Sequence, residues 1–199
     1  MTTLILVRHA ESLANVEGIA EGGEGNSLLT TAGIEQANRL GTYLRSAYAD
    51  IDAIYSSPLI RAHETAKHVA LLIGRTVRIE GDLREGLIGK WEGSPPTQKL
   101  DWEALKANPH FKEHGGESPF ELAERSARAM KRIASIHKSS TTLIVSHGAT
   151  ITHGLARILG TQPVTGEQYA LQNTGFVVLN WTQDPPQLLI NNETHHLTE

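Results

Sequence analysis

The segment Thr2–Ser12, TTLILVRHAES, decides how the fold of this chain is read. Leu4 to Val7 is an unbroken apolar run. Successive apolar residues, in place of strict alternation, mark a strand covered on both faces. The run stops at Arg8 and His9, two side chains that can carry positive charge. A strand that merely reaches water ends this way, and so does a strand that ends against an anion. A second segment of the same form favours the anion: Thr141–His147, TTLIVSH, is again an apolar run closed by a histidine.

Working outward, apolar runs alternate with helical patterns. Thr30 is placed as an N-cap, and Ile34, Ala37, Gly41, Leu44 and Tyr48 recur at helical spacing, which predicts a helix over about 31–48. A strand is expected at 51–57, and after it a helix with Pro58 in its first turn and Gly74 as its stop. A further strand is expected at 76–80, a long helix at about 118–138, a strand at 141–147 and a helix at about 149–159. Closing strands are expected at 175–181 and 187–191. Residues 11–29, rich in Gly, Asn, Ser and Glu, read as a loop. Strand–helix alternation predicts an α/β fold, a three-layer α/β/α arrangement with a mostly parallel central sheet. The whole chain, 1–199, is expected to form one domain, with a cap-like excursion at about 86–117 that carries glycines, prolines, two tryptophans and a short helical piece near 97–107. In such sheets ligands bind beyond the carboxyl ends of the strands. His9 and His147 both fall at that edge.

A chain of 199 residues is long enough for a sizeable core. Its formal net charge of -4 gives no bias toward nucleic acid or an anionic membrane surface. An anion site must therefore be built locally from Arg, His and backbone N–H groups. The chain has no cysteine, which excludes disulfides, thiolate metal sites and cysteine nucleophiles. Ten histidines raise the question of a metal. However, no His-Glu-x-x-His pattern occurs, and His63 and His68 are spaced poorly for one helix face. No metal and no cofactor are expected. Residues 1–10 are too short and too soon polar for a signal peptide, and no apolar run is long enough to span a bilayer. A cytoplasmic location is expected.

Six stretches then occur in order: LVRHAES with Asn15, LLTTAGIEQA (28–37), YSSPLIRAHETA (55–66), LREGLIGKWEG (83–93), GGES (115–118) and LIVSHGA (143–149). Together they closely resemble the histidine phosphatase superfamily, in its branch with cofactor-dependent phosphoglycerate mutases and small-molecule phosphatases. The tail NNETHHL (191–197) resembles that branch too. The resemblance implies a phosphoglycerate mutase-like fold and a role for each matching position. His9 is implied as the nucleophile that forms a phosphohistidine, splitting one hard displacement into two easier ones. Arg8 and Arg61 are implied as clamps on phosphoryl oxygens, for which a planar guanidinium fork is suited. His147 is implied as a further phosphate donor, and Glu85 as the general acid and then base. Asn15 and the backbone of Gly148 are implied as additional phosphate contacts. Glu92, in the same stretch as Glu85, is a weaker candidate for the acid. The family usually has glycine after the Arg-His pair, and this chain has Ala10.

The resemblance thus implies a metal-independent phosphatase that hydrolyses a small phosphomonoester through a phosphohistidine on His9. The alternatives are a cofactor-dependent phosphoglycerate mutase, a phosphohistidine or phosphoprotein phosphatase, and an idle binding module. Residues 93–117 contain no arginine, only Lys99, Lys106 and Lys112, and Ala149 stands where the mutases usually have Asn. Both features favour the phosphatase. The expected partner is a small phosphorylated metabolite, with no nucleic acid and no membrane. A homodimer is compatible with the sequence.

Overall fold

The structure, a computed structural model, describes residues 1–48, 50–98, 100–161 and 168–198. Lys99 lies outside the described residues. Six strands form one sheet: β1 (Thr3–Arg8), β2 (Ile51–Ser56), β3 (Val77–Ile79), β4 (Thr141–Ser146), β5 (Phe176–Asn180) and β6 (Gln187–Glu193). Their order is β3-β2-β4-β1-β5-β6. The first four run parallel, and β5 and β6 are antiparallel additions at one side. The expected three-layer, mostly parallel sheet is the observed one.

Alternate residues of β1 feed two separate cores, as the period of a strand requires. Leu4 and Leu6 pack with Met130, Ile133, Ile151 and Leu155, which come from the helices α5 (Pro119–Ile136) and α6 (Gly148–Leu159). Ile5 and Val7 pack with Leu40, Leu44, Ala66 and Val69, from α2 (Thr31–Ala47) and α3 (Ile60–Ile73). A strand buried on both faces has no polar face to show, which explains the continuous apolar run.

Helix termini follow local chemistry. Thr30 caps α2 by accepting from the Gly33 N–H at 2.9 Å. Ser118 and Glu121 form a reciprocal capping box at the start of α5. Two expectations are corrected. The 11–29 loop contains a short helix, α1 (Leu13–Glu17), started by a Ser12–Asn15 capping box and ended by Gly18 at φ 66°. Pro58 does not open α3: Leu59 is the N-cap and the helix begins at Ile60. The helical piece expected near 97–107 is α4, Trp102–Ala107. Trp91 lies inside a cluster with Trp102, Phe111 and His114. Among the described residues no helix is long and apolar enough to cross a membrane.

Candidate active site

Sheet register builds the site. Arg8 pairs with Ser146 across the parallel β1–β4 ladder. One residue further, the His9 N–H donates to the Ser146 carbonyl at 2.9 Å. His9 and His147 therefore leave neighbouring strands side by side, with ring centroids 5.2 Å apart and planes tilted by 58°.

The protonation of His9 follows from one contact. Its Nδ1 lies 2.8 Å from the Ala10 carbonyl, which can only accept, so Nδ1 carries the proton. Burial pushes the ring pKa from 6.5 down to about 3, and the Arg61 and Arg8 guanidinium groups act in the same direction. A neutral ring protonated at Nδ1 leaves Nε2 with its lone pair. Ala10 fits this turn without strain: it is not among the residues at positive φ, and its N–H donates to Thr65 Oγ1 at 3.0 Å.

His9 lines a cavity of about 320 Å³ together with Arg8, Asn15, Arg61, Glu85 and Gly148. The Arg8 guanidinium donates from Nη1 to the Leu171 carbonyl at 2.7 Å, while its Nε is buried with no partner among the described residues. Arg61, the second residue of α3, is only 1% exposed. Its Nη1 and Nη2 donate to the carbonyls of Gly25 (2.9 Å) and Gly22 (3.1 Å). Its carboxylate partner is Glu21, at 3.2 Å, and not the helix neighbour Glu64, which pairs with Lys67 at 2.7 Å. Burial draws both guanidinium groups below their ordinary pKa, partly offset by Glu85 at Arg8 and by Glu21 at Arg61. Two desolvated cations held toward one cavity form a site for an anion.

Glu85 lies against the N-terminus of α6. Its carboxylate accepts from the N–H groups of Ala149 (3.2 Å) and Thr150 (3.0 Å), and from Thr150 Oγ1 (2.9 Å). Those N–H groups have no partner within the helix, so the carboxylate both satisfies them and is aimed by them. Glu92 is placed differently: its Oε1 accepts from the Gly22 N–H at 2.8 Å and so holds the glycine-rich loop.

His147 is fully buried and does not line the cavity. Its Nε2 meets Ser57 Oγ at 2.7 Å, and its Nδ1 is buried with no partner among the described residues. Burial, then Arg61, keep this ring neutral, well below its ordinary pKa. Asn15 is exposed at the cavity, where its Oδ1 accepts from the Ser12 N–H at 3.2 Å and from Asn173 at 3.0 Å.

Arg125 on α5 carries no sequence signal for function, yet it organises this region. It is buried and pairs through two nitrogens with Glu117, at 2.8 and 2.7 Å. It also donates to the carbonyls of Asp82 (2.7 Å), Arg84 (3.0 Å) and Glu85 (3.4 Å). Ser146 Oγ adds a bond to the Leu83 carbonyl at 2.7 Å. The loop that carries Glu85 is thus fixed from two helices and a strand. Among the described residues no group of three or more His, Asp or Glu side chains could hold a metal ion.

Known proteins resemble this chain over most of its length. The profile of the histidine phosphatase superfamily (branch 1) matches residues 4–194. Phosphoglycerate mutase-like protein 4 of Arabidopsis thaliana is 35% identical over 156 residues, which cover 74% of this chain and 67% of that protein. The metal-independent phosphoserine phosphatase of the same plant is 31% identical over 159 residues, 76% of this chain and 66% of that protein. Among solved structures, phosphoserine phosphatase from Entamoeba histolytica in complex with 3-phosphoglyceric acid superposes with a TM-score of 0.87 at 29% identity, covering 99% of this chain and 100% of that one.

Proposed function

Since the chain belongs to branch 1 of the histidine phosphatase superfamily, we propose that it is a metal-independent phosphatase hydrolysing a small phosphomonoester through a phosphohistidine on His9. The observation that carries this is the His9–Ala10 contact, which leaves an unprotonated Nε2 beside the buried guanidinium of Arg61 and the half-buried one of Arg8.

In the first step the Nε2 lone pair attacks phosphorus. The N–P bond forms, the ester P–O bond breaks, and Glu85 gives its proton to the departing oxygen. Arg8 and Arg61 hold the phosphoryl oxygens, and Asn15 and the Gly148 backbone extend that cradle. His147, packed against the His9 ring and bonded to Ser57, positions that ring from outside the cavity. In the second step water attacks phosphorus while Glu85 takes its proton. The N–P bond breaks, and phosphate and an unmodified His9 are released. The whole chain acts as one catalytic domain, with residues 86–117 as the cap over the carboxyl edge.

The same cavity speaks against the mutase alternative. A retained bisphosphate needs cations for its second anionic group. Of the lysines in the excursion, Lys106 pairs with Glu103 and Lys112 with Glu121, and neither lines the cavity. Release of inorganic phosphate from simple phosphomonoesters in the presence of a chelator tests the proposal. Strict dependence on an added divalent metal, or isomerisation of 3-phosphoglycerate without phosphate release, would refute it.

A further inference from the structure

Glu85 also borders a second, narrower cavity of about 140 Å³. The two cavities share Glu21, Glu85 and Ala149 as walls, so the second lies next to where the leaving oxygen departs. Its remaining surface is mainly apolar: Leu87, Ile88, Trp102, Leu105, Pro119 and Leu122. Trp102 and Leu105 are three residues apart on α4 and so share one side of that helix. None of the residues of α4 is buried, and both of these face the cavity.

The carboxylates around this cavity are already engaged, Glu21 with Arg61 at 3.2 Å and Glu85 with the first turn of α6. Among the described residues no Lys or Arg lines it. Glu117 is committed to Arg125 at 2.7 Å. His153 gives Nδ1 to the Ala149 carbonyl at 2.9 Å, and burial favours its neutral form. A carboxylate on the leaving group would lose its water against these apolar side chains, with no Lys or Arg among the described walls to replace it, which is costly. An uncharged apolar group would meet no such cost. A dry cavity of about 150 Å³ lined by aliphatic and aromatic side chains holds one benzene ring, so this one matches a single six-membered ring.

We propose that the substrate is a phosphomonoester of an uncharged alcohol with an apolar body of about one ring, seated between α4 and Leu122. This rests on the phosphatase proposal above and narrows its substrate class. It sets this chain apart from relatives named for phosphoserine, whose leaving group bears a carboxylate.

The experiment compares kcat/KM for benzyl phosphate, ethyl phosphate, phosphoserine and 3-phosphoglycerate in chelator, for the native protein and for Trp102→Ala. Trp102 is 42% exposed and belongs to neither of the two cores that flank the sheet, so its truncation leaves both of them intact. Burial of a ring is expected to favour benzyl phosphate over the two carboxylate-bearing esters by about tenfold or more. In Trp102→Ala the benzyl-to-ethyl ratio is expected to fall about tenfold. If phosphoserine or 3-phosphoglycerate matches benzyl phosphate, the substrate class is wrong while the phosphatase proposal stands. An unchanged benzyl-to-ethyl ratio in Trp102→Ala places the ring elsewhere and overturns the seat named here. If no ester releases phosphate, the phosphatase proposal itself fails.

Discussion

The Nδ1–H of His9 donates to the carbonyl of Ala10 across 2.8 Å, and this one bond decides which ring nitrogen remains for chemistry. It predicts a tautomer visible by 15N NMR: His9 stays neutral, protonated at Nδ1, from about pH 5 to 8. Its pKa near 3 also has a consequence for stability. The unfolded chain takes up a proton near 6.5, and folded His9 does so only near 3. Stability therefore falls as pH drops through that window, and this group contributes no pH dependence above it. Urea unfolding at pH 4.5 and 7.5 should show a smaller difference in His9→Ala than in the native protein. An equal difference would place the titration elsewhere.

Glu85 is aimed by two helix N–H groups and Thr150. Glu85→Gln should lower kcat/KM, which reports the first step alone, on alkyl phosphates by about 10²–10⁴, and by much less on an aryl phosphate, whose leaving oxygen needs no proton. Steady-state kinetics on the two esters separates the cases, and equal losses would remove Glu85 as the acid.

Arg125 and Glu117 form a buried pair whose members depend on each other. Arg125→Met should destabilise the fold by about 3–5 kcal/mol, since it strands a carboxylate. Adding Glu117→Met should restore much of that loss in thermal or urea unfolding. Activity should not return with stability, because the carbonyls of Asp82, Arg84 and Glu85 still lack their donor. Recovery of kcat in the double variant would make the arginine purely structural.

Ala10 occupies a position where glycine is usual in the family, yet its backbone needs no glycine conformation. Ala10→Gly should leave kcat/KM within about twofold and cost roughly 0.5–1 kcal/mol, through a more flexible unfolded chain. A large gain in activity would show that the methyl group obstructs the site.

The sequence showed those parts of the molecule whose causes are local. Both-face burial writes a continuous apolar run, so β1 and β4 were visible, and with them the adjacency of His9 and His147. Helix α1 was hidden because its start is a four-residue capping box inside a stretch dominated by glycine and polar residues. Pairings made by tertiary structure were not visible. Glu64 stands one turn from Arg61 in the sequence of α3, yet the partner that the fold supplies is Glu21, from a distant loop. Arg125 looks like any helix-surface arginine until α5 packs it beneath the Glu85 loop. Ser57 and His147 meet across 90 residues of sequence. That His147 stands against His9 without lining the cavity follows from packing that no motif records.

The phosphoenzyme is the central claim, and Glu85→Gln provides the means to trap it. With an aryl phosphate labelled at phosphorus the first step needs little acid, while the second has lost its base, so the intermediate should accumulate. After an alkaline quench in chelator, the account predicts alkali-stable, acid-labile phosphate on the peptide carrying His9, and none in His9→Ala. Turnover with no burst and no label, or a label on any other side chain, would contradict it.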